Sequence, residues 1–312
     1  MKRFLILIAI VLVGCGESEE AVQETVQEAV QETEDVFVQL SKAIIIFKEH
    51  GELLNNLKLI TDQQAEIIVD TYHTKHVHWD ANFNPLGLPL NGLSSITNNQ
   101  AEILGEVRYK PEKDDFCTLY LNGLKSINEE QAKGLSKAES LELNGLTSIT
   151  DQQAESLSRV EDLYLNGLTS ISDQQAESLS KVEYLHLNGL TSITDQQAES
   201  LNNGEGLVEN IDQNNRYHIE LNGLTSISNQ QAENLSKIGN LALNGLTSIT
   251  DKQAVSLGKT GSLELGGLTS ITDEQANSLR KIPLGLVISD ACYDVVSKYM
   301  EIGLTKASEK KY

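Results

Sequence analysis

The densest chemistry in the chain is a short histidine run. His76, His78 and Asp80 lie two residues apart, so an extended backbone puts all three on one face. Imidazole plus carboxylate is a donor set for Zn²⁺. Trp79, the single tryptophan, sits among them, and the same stretch reads equally as a polar loop anchored by that ring. Glu209, Asp212 and Asn214 form an oxygen-rich set suited to Ca²⁺, though not at EF-hand spacing. A third group is spread more widely: Tyr120, Asp162, Tyr164, Tyr184, His186, His218 and Glu220. Tyr is a rigid amphipathic ring favoured at binding hot spots. No Gly-x-Ser-x-Gly elbow, phosphate-binding loop or His-Glu-x-x-His is present. The expectation is therefore a protein that is not an enzyme and uses no cofactor.

What positions these residues is a repeat. Leu-Asn-Gly-Leu recurs with its first leucine at 90, 121, 143, 165, 187, 221 and 243; Leu-Gly-Gly-Leu follows at 265, and a degenerate copy starts at Leu54. The basic step is 22 residues, and nine copies run from 51 to 282. In one copy Leu163-Tyr164-Leu165 alternates as a strand does, and Asn166-Gly167 turns the chain. Ser172 then caps a helix over 173–181, with Ala176 and Leu179 facing inward. Glu177 and Lys181, like Glu155 and Arg159, are four apart in the favourable order. One strand plus one short helix cannot bury its apolar face alone, whereas stacked copies can.

Leu163-x-Leu165 followed by Leu168 and Ile171 resembles a leucine-rich repeat, and the Leu-Thr-Ser-Ile runs resemble repeats of bacterial surface proteins. The resemblance implies an α/β solenoid with a parallel sheet. This chain departs from the common pattern: its asparagine comes two places early, at 122, 144, 166, 188, 222 and 244. A ladder nearer the inner face is expected there. On the inner, concave sheet, the residue between the paired leucines and the one before them face out. That column logic gathers Tyr164, Tyr184, His186 and His218, bordered by Asp162 and Glu220. Three insertions, each between a helix and the next strand, carry the His76 run, the basic Arg108–Lys113 stretch and the Glu209 set along one edge. Pro89 in the second copy predicts an irregular N-terminal end. Cys117 and Cys292 fall seven strand steps apart, roughly 34 Å, too far for a disulfide.

The copies are flanked by other material. Lys2 and Arg3 precede an apolar run, Phe4 to Val13, too short to span a bilayer and typical of a secretory signal. Leu12-Val13-Gly14-Cys15 resembles the lipobox of bacterial lipoproteins, which implies cleavage and lipid attachment at Cys15. Gly16 rather than Asp follows, which by the same resemblance implies the outer membrane in a Gram-negative cell. Residues 17–35 carry eight acids and no base. Val22, Val26, Ala29, Thr33, Val36, Leu40, Ala43 and Phe47 follow a heptad. They read either as an oligomerising coiled coil or as a single helix folding back over the first copy. After Pro283, one last strand-like run and a helix with Cys292, Val295, Val296 and Tyr299 on one side read as the C-terminal cap.

The chain holds 312 residues, a net charge of -21 and 39% hydrophobic residues. Such acidity excludes a phosphate-tracking nucleic-acid binder. The organisation expected is a signal peptide at 1–14, a lipid-anchored acidic helical tether or cap at 15–50, the solenoid at 51–282 and a C-terminal cap at 283–312. The function expected is an envelope protein anchored to the bacterial membrane through Cys15. It would bind a protein or glycan partner through its concave sheet and insertion edge. The alternatives are a structural spacer oligomerising through residues 22–47, or a metal-binding lipoprotein.

Overall fold

The computed structural model describes residues 55–74, 87–107, 117–202, 217–300 and 303–310. The signal, Cys15, the heptad helix, most of the three insertions, and with them His76, His78, Trp79, Asp80, Glu209, Asp212 and Asn214, lie outside the described residues. From the second copy on, each opens on a strand: β1 (Gly87–Pro89), β2 (Thr118–Tyr120), β3 (Ser140–Glu142), β4 (Asp162–Tyr164), β5 (Tyr184–His186), β6 (His218–Glu220), β7 (Asn240–Ala242) and β8 (Ser262–Leu265). Two more strands, β9 (Gly285–Ile288) and β10 (Leu304–Lys306), complete one ten-stranded sheet in sequential order, parallel throughout. The fold is an α/β solenoid. Pro89 keeps β1 in regular register with Tyr120, contrary to the irregularity expected. Leu90 supplies the donor toward β2, so by alternation the N–H that Pro89 lacks falls on the outer side.

Helix α1 (Asp62–Thr74) is followed by eight helices of seven residues: α2 (Asn98–Leu104), α3 (Glu129–Leu135), α4 (Asp151–Leu157), α5 (Asp173–Leu179), α6 (Asp195–Leu201), α7 (Asn229–Leu235), α8 (Asp251–Leu257) and α9 (Asp273–Leu279). All eight start with a capping box, as in Ser172 and Gln175, where each side chain accepts the other residue's backbone N–H. The helices stop at the leucine, two residues short of the span expected. Lys181 therefore lies beyond the C-cap Ser180, and neither Glu177–Lys181 nor Glu155–Arg159 pairs. Lys137 pairs instead across neighbouring copies, meeting Glu102 and, at 2.6 Å, Glu106.

The core is one continuous leucine column. Leu163, Leu165, Leu168, Ala176 and Leu179 are fully buried, and their equivalents repeat this along the chain. Each buried leucine contributes about 2 kcal/mol. Two amide ladders tie the copies together. Each repeat asparagine Oδ1 accepts the backbone N–H of the next copy's asparagine at 2.8–3.0 Å from Asn91 to Asn244, and Gly266 takes the last place. The inner ladder expected from the early asparagine is thus present. The second was not anticipated: each capping-box glutamine also donates its Nε2 to the preceding copy's isoleucine carbonyl, as Gln175 does to Ile149 at 2.8 Å. The glycine after each asparagine is set by this stacking. A Cβ on Gly167 would lie 2.3 Å and 2.4 Å from the carbonyl oxygens of Asn144 and Leu146.

The C-terminal end is closed by α10 (Asp290–Val296), with Cys292 and Val296 fully buried. Gly303 takes a φ of 77°, the left-handed turn that glycine allows, and swings the chain back into β10. That tenth strand adds to the strand and helix expected of the C-terminal cap. Cys117 beside β2 and Cys292 on α10 are both buried, and no disulfide joins them.

Candidate binding site on the concave sheet

Strand register assembles the site. Asp162, Tyr184 and His218 are mates across β4, β5 and β6, as are Tyr164, His186 and Glu220. The patch expected from sequence is therefore brought together. His186 is its centre: its Nδ1 lies 3.0 Å from Glu220 Oε2 and its Nε2 3.3 Å from Asp162 Oδ1. The Tyr164 ring stacks on His186 at 3.8 Å with planes 5° apart. His218 approaches from the other side, its ring 6.1 Å from that of His186 and its Nε2 3.3 Å from Glu220 Oε1. Two partners were missed from sequence. Ser140 donates to Asp162 Oδ2 at 2.9 Å and lies 3.0 Å from Thr118 Oγ1; Asn188 donates to Glu220 Oε2 at 2.8 Å. The result is one polar chain across five strands, Thr118–Ser140–Asp162–His186–Glu220–His218. Ser140 occupies the column before the leucines, which was the available signal. Asn188 was assigned only to the ladder.

These side chains are less exposed than a concave face suggests. His186 is 12% exposed, Asp162 14% and Glu220 19%. Neighbouring strands about 4.8 Å apart crowd their side chains, and the charges turn toward one another rather than to water. Burial opposes a charged His186, yet the close carboxylates of Asp162 and Glu220 outweigh it and raise its pKa to about 9. Burial would raise Glu220 too, but His186, His218 and Asn188 hold it well below the usual carboxylate range. Burial raises the Tyr164 phenol, with Asp162 adding to the effect, and raises Glu142 against the hydrogen bond from Asn122. Asp162 Oδ1 meets His186 as a charge contact only; it is buried without an aligned donor among the described residues.

Tyr120 stands apart, with Glu142 between it and Tyr164 in register. Its ring covers Gly87, where a Cβ would come within 2.4 Å of Cε2. Burial and then Glu142 raise its pKa. Beyond β7 the face is occupied. Lys310 pairs with Glu264, and Ala307 reaches over Gly266. The open stretch thus runs from β2 to β6. On the edge where helices lead into strands, a groove of 470 Å³ is lined by Glu102, Lys133, Lys137, Glu139, Arg159 and Glu161, among others. Among the described residues no cluster of three or more His, Cys, Asp or Glu has metal-binding geometry, and no helix is long and apolar enough to cross a membrane.

Leucine columns, a sequential parallel sheet and one short helix per copy define the class: a leucine-rich-repeat solenoid. No protein-family model matches the chain, nor does any curated protein. Among solved structures it is similar to an internalin from Listeria monocytogenes str. 4b F2365, at 16% identity and a TM-score of 0.44, over 86% of this chain and 74% of that one.

Proposed function

We propose that the chain is a lipid-anchored protein of the bacterial cell envelope that binds a protein partner through its concave sheet. The observation that carries the binding reading is the His186 assembly. Three adjacent strands hold Asp162, Tyr164, His186, His218 and Glu220 in fixed mutual geometry, and a preorganised site loses little side-chain entropy on binding. The packing of the core needs none of these residues. Glu142, Asp162 and Glu220 outnumber the cations of this stretch, so the partner surface that fits it is basic. Tyr120, Tyr164, Tyr184 and His218 supply ring edges around it. The insertions add a second contact edge, with Trp79 as its aromatic anchor. The anchor reading rests on the lipobox resemblance at Cys15 and its basic, apolar leader.

A binding screen of the purified chain against envelope proteins and glycans tests this. Saturable binding of a protein is expected, weakened at least about tenfold in Tyr164→Ala and His218→Ala, as hot-spot truncation predicts. A glycan as the sole ligand, or binding untouched by these changes, overturns the assignment of the face. Labelled acyl chain should enter the wild type and not Cys15→Ser; equal labelling removes the anchor.

A further inference from the structure

We propose that Glu142 is the seat for a lysine side chain of the partner, held between the rings of Tyr120 and Tyr164. The inference rests on the binding reading of the concave face and adds what that face selects. Three strands place a glutamate between the paired apolar residues, at 142, 220 and 264, and the inner asparagine ladder treats all three alike. Asn122 and Asn144 donate Nδ2 to Glu142 Oε2 at 2.7 Å and 3.3 Å. Asn188 and Asn222 do the same to Glu220 Oε2 at 2.8 Å and 3.5 Å, and Asn244 to Glu264 Oε2 at 3.2 Å. Fixed through Oε2, each carboxylate presents its Oε1. On Glu264 that oxygen takes the ammonium of Lys310, and on Glu220 it lies 3.3 Å from His218 Nε2. Among the described residues no cation pairs with Glu142, whose partners are the two ladder amides. One position of three is thus built like the others and lacks the cation that the others hold.

The neighbouring side chains leave room above Glu142, which is itself partly exposed. In register it lies between Tyr120 and Tyr164, and both rings lean away from it. Tyr120 leans over Gly87 on β1. Tyr164 stacks on His186 with centroids 3.8 Å apart, closer than the roughly 4.8 Å between strands. It is therefore drawn toward β5 and turns its other face to β3. A cation above Glu142 meets a carboxylate beneath it and a phenol ring on each side, where cation–π attraction adds to the ion pair. Asp162 on the next strand supplies further negative charge: burial and then that charge raise the Glu142 carboxyl, and a bound cation relieves both. The open valence selects the kind of cation. With Oε2 taken by the ladder, one oxygen remains, which suits the compact ammonium of lysine; the guanidinium fork of arginine matches a carboxylate with both oxygens open. Lys310 on Glu264 is the same contact made within the chain.

Saturation-transfer NMR on the full chain in detergent, with the peptide acetyl-Ala-Lys-Ala-amide as probe, tests the seat. Saturation of the aromatic protons should reach the lysine ε-methylene most strongly. Glu142→Gln should weaken binding at least about tenfold, as loss of one charge-assisted contact predicts. Glu155→Gln makes the same change of charge on the exposed side of α4 and should leave binding unchanged. On the wild type, acetylation of the peptide's lysine should abolish the transfer, which keeps the test valid if Glu142→Gln fails to fold. Equal binding by Glu142→Gln and wild type overturns the proposal, as does equal binding of the acetylated peptide. Tighter binding of the arginine peptide overturns the choice of lysine. Binding of the protein partner that is lost in His218→Ala but kept in Glu142→Gln removes the lysine seat and leaves the concave face as the binding surface.

Discussion

His186 keeps its proton because Asp162 and Glu220 hold it from both ring nitrogens, and that gives the site a definite pH dependence. Its pKa rises from 6.5 to about 9. The pairing therefore contributes fully to stability below the ordinary imidazole pKa and fades as pH climbs through about 9. Glu220 is shifted the other way, so its contribution is full above the usual carboxylate range and is lost in acid. Thermal melts across pH should give a plateau between the usual carboxylate range and the ordinary imidazole pKa, with a fall on each side, and His186→Gln should abolish the alkaline fall. His186→Ala leaves Asp162 and Glu220 facing each other without a counter-charge, and a loss of about 3 kcal/mol is expected in denaturant titration. The membership of this cluster was legible from the repeat columns. Its burial was not, because a 22-residue period fixes which residues are neighbours but not which way their side chains turn.

At the scale of the element, one glutamine per helix does two jobs. Gln175 Oε1 accepts the N–H of Ser172 while Nε2 reaches Ile149 O. Gln175→Glu keeps the acceptor and loses the donor; Gln175→Leu loses both. Chemical denaturation should rank them in that order, at about 1 kcal/mol for the first and about 2 kcal/mol for the second. Ser-x-x-Gln before an apolar run is the signature of a capping box, so half of this role could be read from the chain. The reach into the preceding copy could not, since nothing local in Asp173-Gln174-Gln175-Ala176 reports what lies beside it. Helix length was overread for a related reason. The pairing Glu177 with Lys181 suits an isolated helix, but here the backbone must turn after Leu179 so that Val182 and Leu185 can enter the core of the next strand.

For the whole molecule, stability is a sum of copies and the interfaces between them, so damage at one interface is felt on both sides. Gly167→Ala places a methyl against two backbone carbonyls that cannot swing aside. A loss of about 3 kcal/mol is expected, with hydrogen exchange rising first in the copies that flank residue 167. The solenoid was evident from the Leu-Asn-Gly-Leu recurrence, because identical local choices can only be satisfied by stacking. The tenth strand escaped notice because Leu304-Thr305-Lys306 carries no repeat motif. It is recruited by β9 and by the turn at Gly303.

The glycine that permits close stacking also gives the chain a chemical clock. Seven copies carry Asn-Gly, the pair in which a backbone nitrogen most easily attacks the side-chain carbonyl, because glycine offers no Cβ to hinder it. In the folded solenoid that attack is blocked: each asparagine is held by the N–H of the next copy, and each glycine backbone is wedged against its neighbour. Unfolding releases all seven at once. Every conversion to aspartate adds a negative charge to an already acidic column. A chain that stays unfolded for long should refold progressively less well, losing its capacity to refold through deamidation rather than through aggregation.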